Sequence, residues 1–223
     1  VPSTAVLMSR LRMLKPGKYP GLRFSLFCGE ALPVEIMQTW GAAAPNSILE
    51  NLYGPTELTI ACTLYRWDPA RSPRESEHGV VPIGEAYPGM RVLVTDEHLR
   101  EVAIDEVGEL LMTGPQLTQG YYRDPARTAA AFVTPPGHRE VYYRTGDRVR
   151  RPRPGQPLVY LGRVDNQIKI QGYRVELGEI EAVLRQLARG FRRLDALLVG
   201  QDLPRQVPDL RGDLQLPIPD LRH

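Results

Sequence analysis

The segment FSLFCGEALPVEIMQTWGAAAPNSILENLYGPTE, residues 24–57, decides the fold. Phe24 to Cys28 is a short apolar run that stops at Gly29, which reads as a buried strand. Leu32-Pro33 then opens a helix that continues to about Trp40. Pro33 suits its first turn, where an amide hydrogen has no partner to lose. Ser47 to Leu52 is a second short strand, and it runs directly into Tyr53-Gly54-Pro55. Strand, helix, strand with apolar strands is the order expected for the last βα units of a mostly parallel sheet.

Upstream, Val6, Leu7, Met8, Leu11 and Leu14 sit at helical spacing, so Thr4 to Leu14 is expected to form a helix ended by Pro16-Gly17. Downstream the texture changes after Arg66. Residues 69–82 are polar and turn-rich. From Pro82 to Leu161 short strand-like runs recur at Arg91 to Thr95, Glu109 to Thr113 and Leu158 to Leu161, separated by Gly, Pro and Asp. That is the pattern of a β-rich subdomain or distorted barrel, with one helix at Pro125 to Phe132. Asn166 to Gln171 alternates polar and apolar residues and turns at Gly172. Leu177, Ile180, Leu184 and Leu187 then mark one face of a helix, with Glu176 and Glu179 in its first turn and Gly190 just past its end. Beyond Gly190 no period persists, and prolines at 204, 208, 217 and 219 predict an irregular tail. The expected organisation is therefore α/β plus β-rich: 1–80 as the end of an α/β core, 81–164 as a β-rich part of that core, and 165–223 as a truncated or atypical lid.

Composition narrows the function classes. With a net charge of +2 over 223 residues, no stretch concentrates Lys and Arg on one face, so nucleic acid is not an expected partner. No apolar run approaches the roughly 18 residues that span a bilayer, and the first residues do not form a leader. Cys28 and Cys62 both lie in apolar surroundings and are expected to be buried thiols. Four scattered histidines give no metal-ligand spacing. A reducing, cytoplasmic setting is the expectation. The sequence starts at Val1 and enters an amphipathic pattern at once, which suggests a piece of a longer protein.

The chemistry starts at Asn51-Leu52-Tyr53-Gly54-Pro55-Thr56-Glu57, at the end of a strand. A flat ring can stack on a base, a glycine lets backbone approach a ligand, and Pro55 holds Gly54 extended. A hydroxyl and a carboxylate follow, suited to a phosphate oxygen and a magnesium ion. Taken alone, the same residues also suit an ordinary turn with a helix cap at Thr56. Three further motifs follow in order: GELLMTGPQLTQGYY at 108–122, YRTGD at 143–147 and GRVDNQIKIQGYRVELGEIE at 162–181. This series resembles the adenylation domains of nonribosomal peptide synthetases and the stand-alone D-alanine–carrier protein ligases, over about residues 22 to 187.

The resemblance implies roles position by position. Asn51, Leu52, Tyr53, Gly54, Pro55 and Thr56 would wrap adenine and the α-phosphate, with Tyr53 on the base. Thr56 and Glu57 would act in the reaction, Glu57 holding Mg²⁺. Gly29 and Glu30 would flank substrate and nucleotide. Asp147 would bind both ribose hydroxyls, beside Tyr160 and Arg163. Asp165 resembles a hinge, and Lys169 and Gly172 would lie near a thiol-entry channel. Leu26, Cys28, Leu52, Ile60 and Ala61 would face the side chain of a small or medium apolar amino acid. The implied reaction joins an amino acid to AMP from ATP, then passes it to the phosphopantetheine thiol of a peptidyl or acyl carrier protein.

Asp147 also reads, without the resemblance, as the cap of a Thr-Gly turn. Two parts of the family pattern are missing: the Ser/Thr/Gly-rich phosphate loop, and a lysine near the C-terminus, since Lys169 is the last lysine. This piece alone is therefore expected to be inactive. An acyl- or aryl-CoA synthetase and a non-catalytic remnant remain alternatives. Asn51 and Pro55, with QIKIQGYRVELGEIE, favour the amino-acid branch over the former; the missing lysine and the odd tail favour the latter.

Overall fold

The computed structural model of the chain describes residues 1–164, the strand backbones 167–170 and 173–176, and residues 183–184. Helix α1 (Pro2–Arg10) leads through a long turn to β1 (Phe24–Cys28), α2 (Val34–Ala43) and β2 (Ile48–Tyr53). A short 3₁₀ turn at Thr56–Leu58 precedes β3 (Thr63–Arg66), the four-residue α3 (Ser72–Glu75) and β4 (Glu85–Ala86). Then come β5 (Arg91–Thr95), β6 (Val107–Thr113), α4 (Pro125–Ala131), β7 (Phe132–Val133), β8 (Tyr142–Arg150) and β9 (Val159–Arg163). An antiparallel pair, β10 (Gln167–Ile170) and β11 (Tyr173–Glu176), closes the described elements.

The first sheet has the order β1-β2-β3-β4. It is parallel across β1 and β2, as the strand–helix–strand order implies, and β3 and β4 run antiparallel beside them. The reason lies in the connections. Residues 29–47 hold a crossover helix, whereas residues 54–62 are too few for one, so the chain must return alongside the strand it has just left. Phe27, Leu49 and Tyr65 pack with Ala5, Leu32, Ile36, Met37, Trp67 and Val81 into one core under α1 and α2. Met37 is fully buried, which contributes about 2 kcal/mol for a side chain of that size.

The second sheet is curled and antiparallel, in the order β5-β6-β8-β7, with β9 pairing the later half of β8 along the same edge as β7. Strand β6 lies at its centre and is buried on both faces. Leu110 and Met112 join a core with Tyr53, Leu58, Cys62, Ile83, Val94, Tyr143, Val149 and Leu158, while Leu111 packs with Leu93 and Tyr142 behind it. The period of two along a strand makes that division. The sheets are stitched where Gly84 and Leu158 form an antiparallel bridge.

Three local expectations need correction. Helix α1 ends at Arg10, not Leu14, because Arg12 adopts a left-handed backbone (φ 56°). The Met13 amide then donates to the Met8 carbonyl and Arg12 to Ser9, the double bond of a Schellman cap formed without glycine. Cys28 is half-buried where Cys62 is buried, because the face of β1 bearing Phe24, Leu26 and Cys28 is open. The Thr-Gly pair before Asp147 is no turn: it lies inside the nine-residue β8. The helix expected over 177–187, the hinge at Asp165, Gly172 and the tail at 190–223 lie outside the described residues; of Lys169 only the backbone is described.

Candidate adenine nucleotide site

Strands β1 and β2 both end at one cleft. In open sheets with parallel strands, ligands sit beyond such carboxyl ends because loops there diverge to opposite sides. The cleft is lined by Gly29, Glu30, Asn51, Leu52, Tyr53, Gly54 and Tyr160, together with Ala31, Val80, Val81 and Ile83. The first group are all residues expected to bind the nucleotide, and they come from β1, β2 and β9.

Each is held for a local reason. Asn51, at 2 % exposure, donates from Nδ2 to the Pro82 carbonyl at 2.9 Å. Its Oδ1 is buried without a partner among the described residues, leaving an acceptor that a ligand amine would satisfy. Gly54 has a role the sequence reading missed. A β-carbon there would lie 2.7 Å from the Ala61 Cα and 2.8 Å from the Ile60 carbonyl, so glycine is needed for the chain's own backbone to fold back. Thr56 is exposed, and it makes no capping bond at the 3₁₀ turn, which begins after Pro55. The turn-and-cap reading of this motif therefore fails.

At the foot of the cleft is a buried polar constellation. The Tyr53 hydroxyl donates to Asp147 Oδ2 at 2.5 Å, and Arg163 Nη1 donates to Asp147 Oδ1 at 2.8 Å. The side chains of Asp147 and Arg163 are 5 % and 10 % exposed. Burial, and then the neighbouring carboxylate, push the Tyr53 phenol well above its ordinary range, so it stays a donor. The Asp147 carboxyl is thus held by a hydrogen bond to each of its two oxygens. Tyr53 packs in the core and also lines the cleft, so the same strand end that borders the cleft orients the acid.

Glu57 is 6 % exposed, and Tyr121 donates to its Oε1 at 2.5 Å. Tyr121 is aimed by its surroundings. Its amide donates to Thr128 Oγ1 at 2.9 Å, the Arg127 guanidinium lies over its ring at 4.6 Å, and Phe132 meets it edge-on. The same segment braces the loop after Glu57: Thr118 donates to the Glu57 carbonyl, and Gln116 to that of Ala61. Tyr121 belongs to the GYY motif, to which the sequence assigned no partner. Nothing local announces a contact across 64 residues.

The residues expected to line a side-chain pocket share one region but not one environment. Cys28 and Leu52 are register partners on the open sheet face, with Leu26 beside them at 56 % exposure. Ile60 is 75 % exposed, its carbonyl 3.9 Å from Cys28 Sγ, while Ala61 is buried beneath it.

As an anchor for Mg²⁺, Glu57 fits by chemistry. A magnesium ion takes hard oxygen donors, one or two carboxylates besides phosphate and water. Among the described residues there is no cluster of three or more metal-ligating side chains. No described helix is long and apolar enough to cross a membrane.

Residues 1–122 match the family of AMP-binding enzymes. The chain is 39% identical over 235 residues to a dimodular nonribosomal peptide synthase of Bacillus subtilis, covering 98% of this chain and 9% of that protein. It is 38% identical over 174 residues to a D-alanine–D-alanyl carrier protein ligase of Lacticaseibacillus rhamnosus, covering 78% of this chain and 33% of that one. Its fold superposes, with a TM-score of 0.71 and 38% identity, on the Vibrio cholerae adenylation domain AlmE in complex with glycyl-adenosine-5′-phosphate, over 83% of this chain and 34% of that one. The chain thus spans between 9% and 34% of these relatives' length. It belongs to the AMP-binding enzyme family, the adenylate-forming ligases, and corresponds to part of an adenylation domain.

Proposed function

We propose that this chain supplies the adenine- and ribose-binding half of an enzyme that activates an amino acid with ATP and hands it to a carrier protein. The observation that carries the reading is the Asp147 carboxylate, fixed by Tyr53 and Arg163 next to the cleft lined by Asn51 to Gly54. A carboxylate with two acceptor oxygens is the natural partner of a vicinal diol. The unsatisfied Asn51 Oδ1 then meets an exocyclic amine, and Tyr53 and Tyr160 offer flat surfaces to the base.

In this reading Gly29 and Glu30 border the nucleotide, Pro55 and Thr56 face its phosphates, and Arg163 adds positive charge. Glu57 would hold Mg²⁺, which would supply positive charge to the phosphate oxygens; the amino-acid carboxylate attacks the α-phosphorus of ATP and pyrophosphate leaves. The protein's own contribution is positioning and preorganised charge, with no protein nucleophile. The aminoacyl group then moves to the phosphopantetheine thiol of a carrier, releasing AMP. Leu26, Cys28, Leu52, Ile60 and Ala61 give part of a pocket for a small or medium apolar side chain. The division into 1–80, 81–164 and a lid from 165, with its hinge at Asp165 and Lys169 and Gly172 at the thiol entrance, belongs to the same proposal. The names of the relatives, a peptide synthase and a carrier protein ligase, support the amino-acid branch over a CoA ligase.

The test is calorimetric titration of the chain with AMP. Replacing Asp147 by Asn removes the charge and keeps the shape; the loss of charged hydrogen bonds to ribose is expected to weaken AMP binding by about tenfold or more. Equal affinity of the two proteins would refute the ribose role.

A further inference from the structure

Strand β8 breaks its ladder where it carries Asp147. Its pairing with β6 passes from Glu109↔Arg148 to Leu111↔Arg144, so Thr145, Gly146 and Asp147 oppose the single residue Leu110. The pairing with β9 is also irregular from Asp147 onward. Such a bulge removes ladder partners from buried backbone groups, which must be matched elsewhere.

The matching is specific. The Asp147 amide donates to Thr145 Oγ1 at 3.0 Å, and that hydroxyl donates to the Leu110 carbonyl at 2.7 Å. The Gly146 amide, on a left-handed residue (φ 70°), donates to Glu109 Oε1 at 3.2 Å. Glu109 is 7 % exposed and is oriented by Arg144, which reaches Oε2 from Nη2 at 2.6 Å and from Nε at 3.1 Å. A buried carboxylate on the central strand thus holds the Thr145–Gly146 peptide, one peptide before the one that ends at Asp147.

We propose that Glu109 is a positioning residue for nucleotide binding: through the Gly146 amide it sets the bulge that aims Asp147 at the ribose. The inference rests on the ribose reading of Asp147. Without Glu109 the Gly146 amide is orphaned, the bulge relaxes, and the acid keeps its charge but loses its aim. The pair Glu109–Arg144 joins the GEL and YRTGD motifs across the sheet.

The experiment titrates the full chain with AMP and with 2′-deoxy-AMP. The unaltered chain is expected to prefer AMP by about tenfold, the worth of one hydrogen bond to a charged group. Glu109→Leu, which removes the acceptor of the Gly146 amide, is expected to reduce that preference to roughly threefold or less. Glu109→Asp keeps the charge opposite Arg144 but falls short of the Gly146 amide, and should lose the preference too while giving an unchanged far-ultraviolet dichroism spectrum. Arg144→Lys, which leaves the Glu109–Gly146 bond in place, should keep most of it. A full preference in both Glu109 variants overturns the positioning role alone. No preference in the unaltered chain overturns the ribose reading, and the inference falls with it.

Discussion

Ile60 carries a left-handed backbone (φ 72°) directly after Thr59 at φ 55°. Two consecutive β-branched residues in that region are costly, since the branched carbon crowds the following carbonyl. The strain is held by hydrogen bonds: Thr59 Oγ1 to the Gln116 carbonyl at 2.9 Å, and Gln116 Nε2 to the Ala61 carbonyl at 3.0 Å. It sits beside Glu57 and the fold-back over Gly54, where strain is stored to aim a loop. Because Ile60 buries little, Ile60→Asn is expected to stabilise the chain by about 1 kcal/mol, Asn being at ease in this region. Urea unfolding checks this; a loss of stability would show that the isoleucine side chain packs more than its exposure indicates. At this scale the sequence was informative about identity and poor about partners. A strand end and a motif flag Asn51, Tyr53 and Asp147 in the sequence. Tyr121 and Glu109 are not so flagged, because their use depends on a hydroxyl meeting Glu57 and a carboxylate meeting Gly146 across the fold.

Strand β1 was legible residue for residue, since an apolar run bounded by Gly29 leaves no other reading. Strand β8 was not. Gly146 and Asp147 interrupt it, and only the neighbours supplied by β6 and β9 make it a strand. The junction between sheets was equally hidden, and it turns on one residue. Gly84 has φ 82°, bridges Leu158, and lies so close to Leu64 that a β-carbon would drive into its carbonyl. Gly84→Ala is therefore expected to cost about 3 kcal/mol, combining left-handed strain with an overlap that backbone must move to relieve. Thermal unfolding by circular dichroism measures it. A second tie joins Glu77 to Arg150 of β8, with both carboxylate oxygens at 3.0 Å from guanidinium nitrogens. The hydrogen bonds to Arg150 hold the Glu77 carboxyl below its ordinary value of 4.5. A depressed folded pKa means the contribution is complete above 4.5 and is lost as pH falls through the lower folded value. Glu77→Gln should then lower stability at neutral pH, by less than about 1 kcal/mol for so exposed a pair, and flatten the decline below pH 4.5. Equal acid slopes in urea titrations of the two proteins would remove the tie.

For the whole molecule, the cleft and the two lysines whose side chains are described, Lys15 and Lys18, lie at opposite ends of β2. The chain has lysines only at 15, 18 and 169. Lys15 and Lys18 are exposed on the turn whose Gly17 and Tyr19 amides bond the Ala42 and Ala43 carbonyls at the end of α2. That is the end at which β2 begins, whereas the nucleotide cleft is at the end where β2 finishes, so neither ammonium reaches the α-phosphate. Arg163 is committed to Asp147 and to the Thr145 carbonyl. Adenylate formation develops negative charge on the α-phosphate oxygens, and removing one well-placed donor from such a transition state costs about a hundredfold or more in rate. The chain as given is therefore expected to bind AMP yet to show no amino-acid-dependent exchange of pyrophosphate into ATP. The measurement is the exchange assay with alanine, glycine, valine and leucine in turn, at saturating Mg²⁺. Exchange that depends on one of these amino acids and disappears in Asp147→Asn would mean that a cation from within these 223 residues does reach the phosphate, and would make this portion catalytic on its own.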